Sequence, residues 1–379
     1  MSESILMIAG EASGDLHGSS LIRELKAISP EIELFGVGGT NMQNAGLKIL
    51  YHSDKLNFMG FVEILRHLPF IKKVQRHLID EVIKRNTKYA ILIDYPGFNL
   101  SIAKKLKSLG VKIFYYISPQ VWAWGQNRVR KIKELIFKMY VLFPFEEKFY
   151  KKQGVDAEFV GHPLISKLNE YKFLEKNELF EKFGLDKEKD ILLILPGSRK
   201  HEVSFIFPKV FSAAEKIAEK FNLQIIVACS NSIEESFIKE TVNSMNYKII
   251  SGFTYDLMKN SKFGIIKSGT STLEAGLIGL PMIIVYKANY LSYLIGMLLI
   301  KVKNIGIVNI LLEKTIVPEL LQSQVNENNI TKIASELLSN PSKIELMKQE
   351  LSKLNQILGE KNSTKIAAQK IMNCINEKS

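Results

Sequence analysis

The chain has 379 residues, 46% apolar and 24% charged, which excludes a disordered or fibrous protein. At roughly 100–200 residues per domain the length favours two domains. Its two cysteines, Cys229 in an apolar run and Cys374 near the end, exclude a disulfide framework and a Cys-based metal site and fit a reducing compartment. The formal net charge of +12 leaves nucleic acid, anionic lipid and phosphorylated substrates open as partners, so its distribution has to decide.

Met1 to Ala9 lacks a basic region followed by a long apolar stretch and a small-residue cleavage site, so no signal peptide is expected and the protein is expected in the cytoplasm. Short Ile/Val-rich runs then alternate with amphipathic stretches, the pattern of βαβ units around a parallel sheet. Strands are predicted at Ile5 to Ala9, Ile32 to Val37, Tyr89 to Ile93, Lys112 to Ile117 and Met139 to Leu142. After Gly161-His162-Pro163 and a Lys/Glu-rich helix the pattern restarts, with strands predicted at Ile191 to Leu195, Gln224 to Ala228, Lys248 to Ile250, Phe263 to Ile266 and Met282 to Tyr286. The fold class is therefore α/β, two Rossmann-like doubly wound domains, residues 1–165 and 166–359. From Asn329 onward the pattern is helical, and Ser363 to Ile375, in the last stretch of about residues 360–379, is a candidate to pack back on the first domain.

The first predicted strand ends in Gly10-Glu11-Ala12-Ser13-Gly14-Asp15. The glycines admit close backbone approach, and Ser13 or Asp15 can cap the following helix. Glu11 and Asp15 put negative charge where a helix start would otherwise invite phosphate, which favours sugar hydroxyls here. The bland alternative is a capped βα turn, since the G-x-G-x-x-G dinucleotide fingerprint is absent. Asp94 closes the run Ile91-Leu92-Ile93 and opens the turn Tyr95-Pro96-Gly97-Phe98-Asn99. A carboxylate at the carboxyl end of a parallel strand faces the ligand crevice and suits a general base, although a turn or cap role is equally open locally. Glu11, Ser13, Gly14, Asp15 and Phe98 are the candidate acceptor contacts. Val121-Trp122-Ala123-Trp124-Gly125 reads as packing near the cleft, and Arg128, Arg130, Lys131 and Lys133 as a basic face, solvated by default.

In the second half Leu195-Pro196-Gly197-Ser198-Arg199 joins a strand to a helix and adds a fixed cation, suited to a donor's diphosphate. No Walker pattern is present. Ser268-Gly269-Thr270-Ser271-Thr272 opens another helix with hydroxyls beside free N–H groups, and Glu274 lies one turn inside, placed to accept from ribose hydroxyls. A hydroxyl-rich cap followed by a routine helical Glu is the competing account.

These motifs, in this order and over nearly the whole chain, resemble the lipid-A-disaccharide synthases of the GT-B glycosyltransferases. The resemblance implies two domains facing across a cleft and inverting transfer of 2,3-diacylglucosamine from its UDP derivative to 2,3-diacylglucosamine 1-phosphate, giving a β-1′,6-linked disaccharide and UDP. It implies Asp94 as base, Arg199 as catalytic diphosphate contact, Glu274 at the ribose, and Asn309 and Gln322 as further donor-side positions. It implies no cofactor and no metal, the UDP-sugar being a substrate. The diacylated partners imply peripheral contact with the inner membrane, for which the basic amphipathic stretch Phe61 to Arg85 and the apolar run Leu291 to Ile300 are candidates. A monomer or homodimer is expected. Another UDP-sugar transferase, a UDP-sugar 2-epimerase or a nucleic-acid-binding protein are the alternatives, the last without any supporting motif.

Overall fold

Strand β1 (Ser4–Ala9) is apolar from Ile5 onward and every one of those side chains is fully buried, as expected of a parallel strand covered on both faces. β4 (Tyr89–Ile93) is buried along its whole length and, in the second half, β8 (Asp190–Leu195) from Ile191 onward. This computed structural model describes residues 3–56, 61–119, 121–122, 128–230, 232–287, 304–359 and 362–377, with backbone alone at 61–65. The chain divides into two units, Met1–Asn169 with Leu358–Ser379, and Glu170–Ile357.

In the first unit β1, β2 (Glu33–Gly38), β3 (Lys48–His52), β4, β5 (Lys112–Tyr116), β6 (Lys138–Val141) and β7 (Ala157–Phe159) form one sheet in the order β3-β2-β1-β4-β5-β6-β7, parallel throughout. Helices α1 (Ala12–Ile28), α2 (Thr40–Asn44), α3 (Phe61–Lys84), α4 (Pro96–Ser108), α5 (Arg128–Leu135) and α6 (Pro144–Lys152) connect these strands. Strand order reverses between β1 and β4, so the crevice beyond their carboxyl ends is the place where such sheets take ligands. In the second unit β8, β9 (Leu223–Cys229), β10 (Tyr247–Ser251), β11 (Ser261–Lys267), β12 (Met282–Tyr286) and β13 (Glu319–Leu321) take the order β10-β9-β8-β11-β12-β13, also parallel, with the reversal between β8 and β11.

Three strands escape the sequence pattern. β3 is an edge strand whose side chains are mostly half-exposed, and β7 and β13 hold three residues each, too few to show a period. The last helix, Ser363–Asn376, belongs to the first unit. Its Ala367, Ala368, Ile371, Met372 and Ile375 join the core formed with Leu21, Ile22 and Leu25 of α1 and with β1 and β4. Each buried Ile there contributes about 1.5–3 kcal/mol. In α3, Val74, Leu78 and Val82 are core residues, while Leu68, Lys72, Lys73 and Arg76 are exposed. The run Leu291 to Ile300, the pair Trp124 and Gly125, and the side chains of Ile64 and Leu65 lie outside the described residues. Among the described residues no helix is long and apolar enough to cross a membrane.

Candidate active site

In the first unit the two motif-bearing turns follow the two strands that flank the reversal. The β1 turn needs Gly10: a Cβ there would lie 2.2 Å from the Tyr95 ring. Tyr95 rests across the turn because its hydroxyl donates to the Leu56 carbonyl at 2.6 Å. Asp94 and Tyr95 both sit in the left-handed region, with φ of 44° and 46°, a strained pair for residues with side chains.

The surroundings hold that strain in place. Asp94 N–H donates to the Tyr116 carbonyl at 3.2 Å. The Asp94 carbonyl accepts from the Tyr115 hydroxyl at 2.5 Å and from Asn99 Nδ2 at 2.7 Å, and Asn99 Nδ2 also reaches the Ile93 carbonyl at 3.2 Å. With its backbone fixed, the Asp94 carboxyl is left at the end of the sheet in a partly buried place. Burial first and the nearby Glu11 carboxylate second push its pKa up to about 6, against a smaller opposing pull from the Tyr95 backbone N–H. A carboxylate poised there accepts a proton near neutral pH far better than an ordinary Asp does.

The other candidate acceptor residues divide. Glu11 and Ser13 are exposed at the start of α1, and Gly14 is buried against Ala9. Asp15 is 5% exposed and fully committed: one oxygen accepts from Gly39 N (2.7 Å) and Met42 N (2.9 Å), the other from Asn41 N (3.1 Å) and Asn41 Nδ2 (2.8 Å). It therefore caps α2, not α1, whose first turn has no side-chain cap, and no lone pair remains for an acceptor sugar. Phe98 is likewise a core residue, stacked on Tyr95 at 5.9 Å between ring centres. Tyr115 and Asn99, which hold the Asp94 turn, carried no sequence signal beyond lying in a strand and a turn.

In the second unit the turns after β8 and β11 again flank the reversal. Gly197 has φ of +127°, and a Cβ there would come within 2.8 Å of Glu202. Glu202 is buried and ties the two turns together: it accepts from Lys267 Nζ, the last residue of β11, at 2.8 Å and lies 3.8 Å from Arg199. The Arg199 side chain is 60% exposed, so its guanidinium is open to an anion. The Ser198 carbonyl accepts from Ser232 Oγ at 2.8 Å.

After β11, the helix Thr270–Ile278 starts behind Gly269 with no side-chain cap, and a Cβ on Gly269 would meet nothing within 4 Å. Thr272 is turned inward, its hydroxyl donating to the Gly269 carbonyl at 2.7 Å. Ser268 and Ser271 are half-buried and Thr270 is exposed at this helix start, where backbone N–H groups and the helix dipole favour an anion. Glu274, one turn in, accepts from the Tyr255 hydroxyl at 2.8 Å through Oε1. That bond fixes the carboxylate and leaves its other oxygen for a ligand hydroxyl.

Asn309 is another matter. It is fully buried, donating to the Val317 carbonyl and Glu319 Oε1, both at 2.7 Å, and accepting from Ile316 N (2.9 Å) and Val317 N (3.0 Å). Its amide has no bonding capacity left for a donor, so it knits the approach to β13 instead. Gln322, with φ of +51°, follows β13 directly. Among the described residues no group of three or more His, Cys, Asp or Glu side chains is gathered so as to hold a metal ion.

A family model described as lipid-A-disaccharide synthetase matches residues 5–372. The chain belongs to the lipid-A-disaccharide synthetase family. A lipid-A-disaccharide synthase of Syntrophus aciditrophicus is 38% identical over 94% of this chain and 94% of its own length. Among solved structures, the UDP-GlcNAc 2-epimerase of Neisseria meningitidis, bound to UDP-GlcNAc, has a TM-score of 0.63 at 13% identity, covering 98% of this chain and all (100%) of that one. The calicheamicin glycosyltransferase has a TM-score of 0.62 at 11% identity, covering 100% of each chain. At such identities the last two show the shared fold, two parallel-sheet α/β domains of the GT-B kind, and the family match assigns the chain to the glycosyltransferases within it.

Proposed function

We propose that the chain performs the lipid-A-disaccharide synthase reaction, moving 2,3-diacylglucosamine from its UDP derivative to the 6-hydroxyl of 2,3-diacylglucosamine 1-phosphate with inversion. The observation that carries this reading is the family match over residues 5–372, joined to a partly buried carboxylate, Asp94, at the reversal point of the first sheet.

Asp94 takes the acceptor's hydroxyl proton as that oxygen bonds to the donor's anomeric carbon. The bond from that carbon to the UDP β-phosphate oxygen breaks, and its electron pair leaves with UDP. Arg199 and the start of the helix Thr270–Ile278 stabilise the growing charge on the leaving diphosphate, with Glu274 receiving the ribose hydroxyls. Glu11 and Ser13 are the exposed polar groups placed to meet the acceptor sugar. Asp15 serves by capping α2, and Phe98 by packing against Tyr95 of the Asp94 turn. Diacylated substrates call for a peripheral hold on the bilayer, and the exposed Leu68, Lys72, Lys73 and Arg76 of α3 combine an apolar tip with cations for anionic headgroups.

The test is incubation with the UDP-linked and 1-phosphate lipids followed by mass spectrometry. The reading expects the disaccharide 1-phosphate and UDP in equal amounts. Release of UDP without a disaccharide, or a 2-epimerised nucleotide sugar, overturns it.

A further inference from the structure

One buried carboxylate in the first unit has no part in the chemistry above. Glu146, in the first turn of α6, is 3% exposed. Its Oε1 accepts from Ser118 Oγ at 2.7 Å and from Trp122 Nε1 at 3.1 Å, and its Oε2 accepts from Phe143 N at 3.1 Å. One turn later Tyr150 donates its hydroxyl to the Pro119 carbonyl at 3.0 Å. Phe145 sets its ring edge-on to Trp122, 4.8 Å between centres. Helix α6 thus grips Ser118, Pro119 and Trp122 of the loop that leaves β5.

That loop is mechanically joined to Asp94. Its first link, Ile117, has φ of +65°, an outlier for a β-branched side chain. The two residues before it are Tyr116, whose carbonyl receives the Asp94 N–H, and Tyr115, whose hydroxyl holds the Asp94 carbonyl. A strained Ile117 between two clamped neighbours persists only if both sides are held.

We propose that Glu146 is a positioning residue for the acceptor side of the reaction, its carboxylate locking the Ser118–Trp122 loop and, through β5, the Asp94 turn. The inference rests on the reading of the first unit as the acceptor side. Burial pushes the Glu146 pKa up to about 7, opposed by the hydrogen bonds from Ser118, Phe143 and Trp122 that the ionised carboxylate accepts. A Gln amide would turn an N–H₂ toward one or more donors.

The experiment compares Glu146→Gln and Tyr150→Phe in a Trp124→Phe background, where Trp122 is the sole tryptophan. Tyr150→Phe removes the hydroxyl that holds Ser118 and Pro119 and leaves the Glu146 cap on α6 intact, so it keeps the proposal testable if Glu146→Gln fails to fold. The expected result is a changed near-UV circular dichroism band of Trp122, with kcat/KM for the acceptor lowered about tenfold and KM for the UDP-linked donor unchanged. An unchanged Trp122 band overturns the clamp. A changed band with unaltered acceptor kinetics, or an equal loss on the donor side, overturns the positioning role. Retention of turnover by Asp94→Asn would instead sink the base assignment, and the Trp122 band reports on the clamp whether or not that happens.

Discussion

The two units set one topology in opposite electrostatic surroundings. Each has a parallel sheet whose order reverses once, and in each the motif-bearing turns follow the two flanking strands. In the first unit the reversal carries a carboxylate that burial and the neighbouring Glu11 make reluctant to ionise, on a backbone held left-handed at two successive residues. In the second it carries an exposed guanidinium, an uncapped helix start and a carboxylate pinned by Tyr255. A proton acceptor needs partial desolvation to act near neutral pH, and enforcing that takes tyrosines and strain. An anion site needs only donors left unspent, which a helix start supplies without distortion.

That contrast can be broken most forcefully at Asp94. Asp94→Asn keeps the shape and removes the basicity, and kcat is expected to fall roughly 10²–10⁴-fold. The sign for stability is opposite. The folded protein raises this pKa from 3.8 to about 6, so it favours the neutral form, and native stability falls as pH rises from 3.8 to about 6 and stays at the lower level above. The Asn variant is therefore expected to melt no lower than the parent at neutral pH, and a lowered Tm would show that Asp94 is a structural anchor. On the other side, Arg199→Ala is expected to lose about 10²-fold in kcat, with acceptor KM unchanged and Tm unaltered because the side chain is exposed.

The pH profile sharpens the same comparison. A base works deprotonated, so kcat/KM should fall as pH drops through about 6, about tenfold per unit below it, and lie flat above. A limb centred near the ordinary Asp value would mean that the pocket does not perturb this group. The smallest effect is expected from Glu274→Gln, a several-fold rise in donor KM with kcat nearly kept, since the amide oxygen still accepts from Tyr255 but one ribose acceptor is lost. Calorimetry with UDP checks it directly.

Much of this was legible in the residues themselves. Apolar runs such as Ile5 to Ala9 and Ile191 to Leu195 announce buried parallel strands, and the position of Asp94 at the end of one follows from the period alone. Side-chain commitments were not legible, because partners lie far along the chain. Asp15 is bound to residues 24–27 positions on, so its role as the cap of α2 is invisible in Gly10–Asp15. Asn309 looks like an ordinary helical Asn until Val317 and Glu319 fold onto it. Glu146 sits in Phe143-Pro144-Phe145-Glu146-Glu147, where nothing distinguishes the buried acid from its half-buried neighbour.

The helix Ser363–Asn376 has a consequence for biosynthesis. Leu21, Ile22 and Leu25 of α1 find their cover in side chains that the ribosome adds only after the whole second unit has been made. Synthesis ordinarily lets the leading part of a polypeptide mature first. Here the leading part waits for the trailing one, and a nonsense codon between Leu358 and Ala367 would strip that hydrophobic lining from α1 while leaving Asp94, Arg199 and Glu274 encoded.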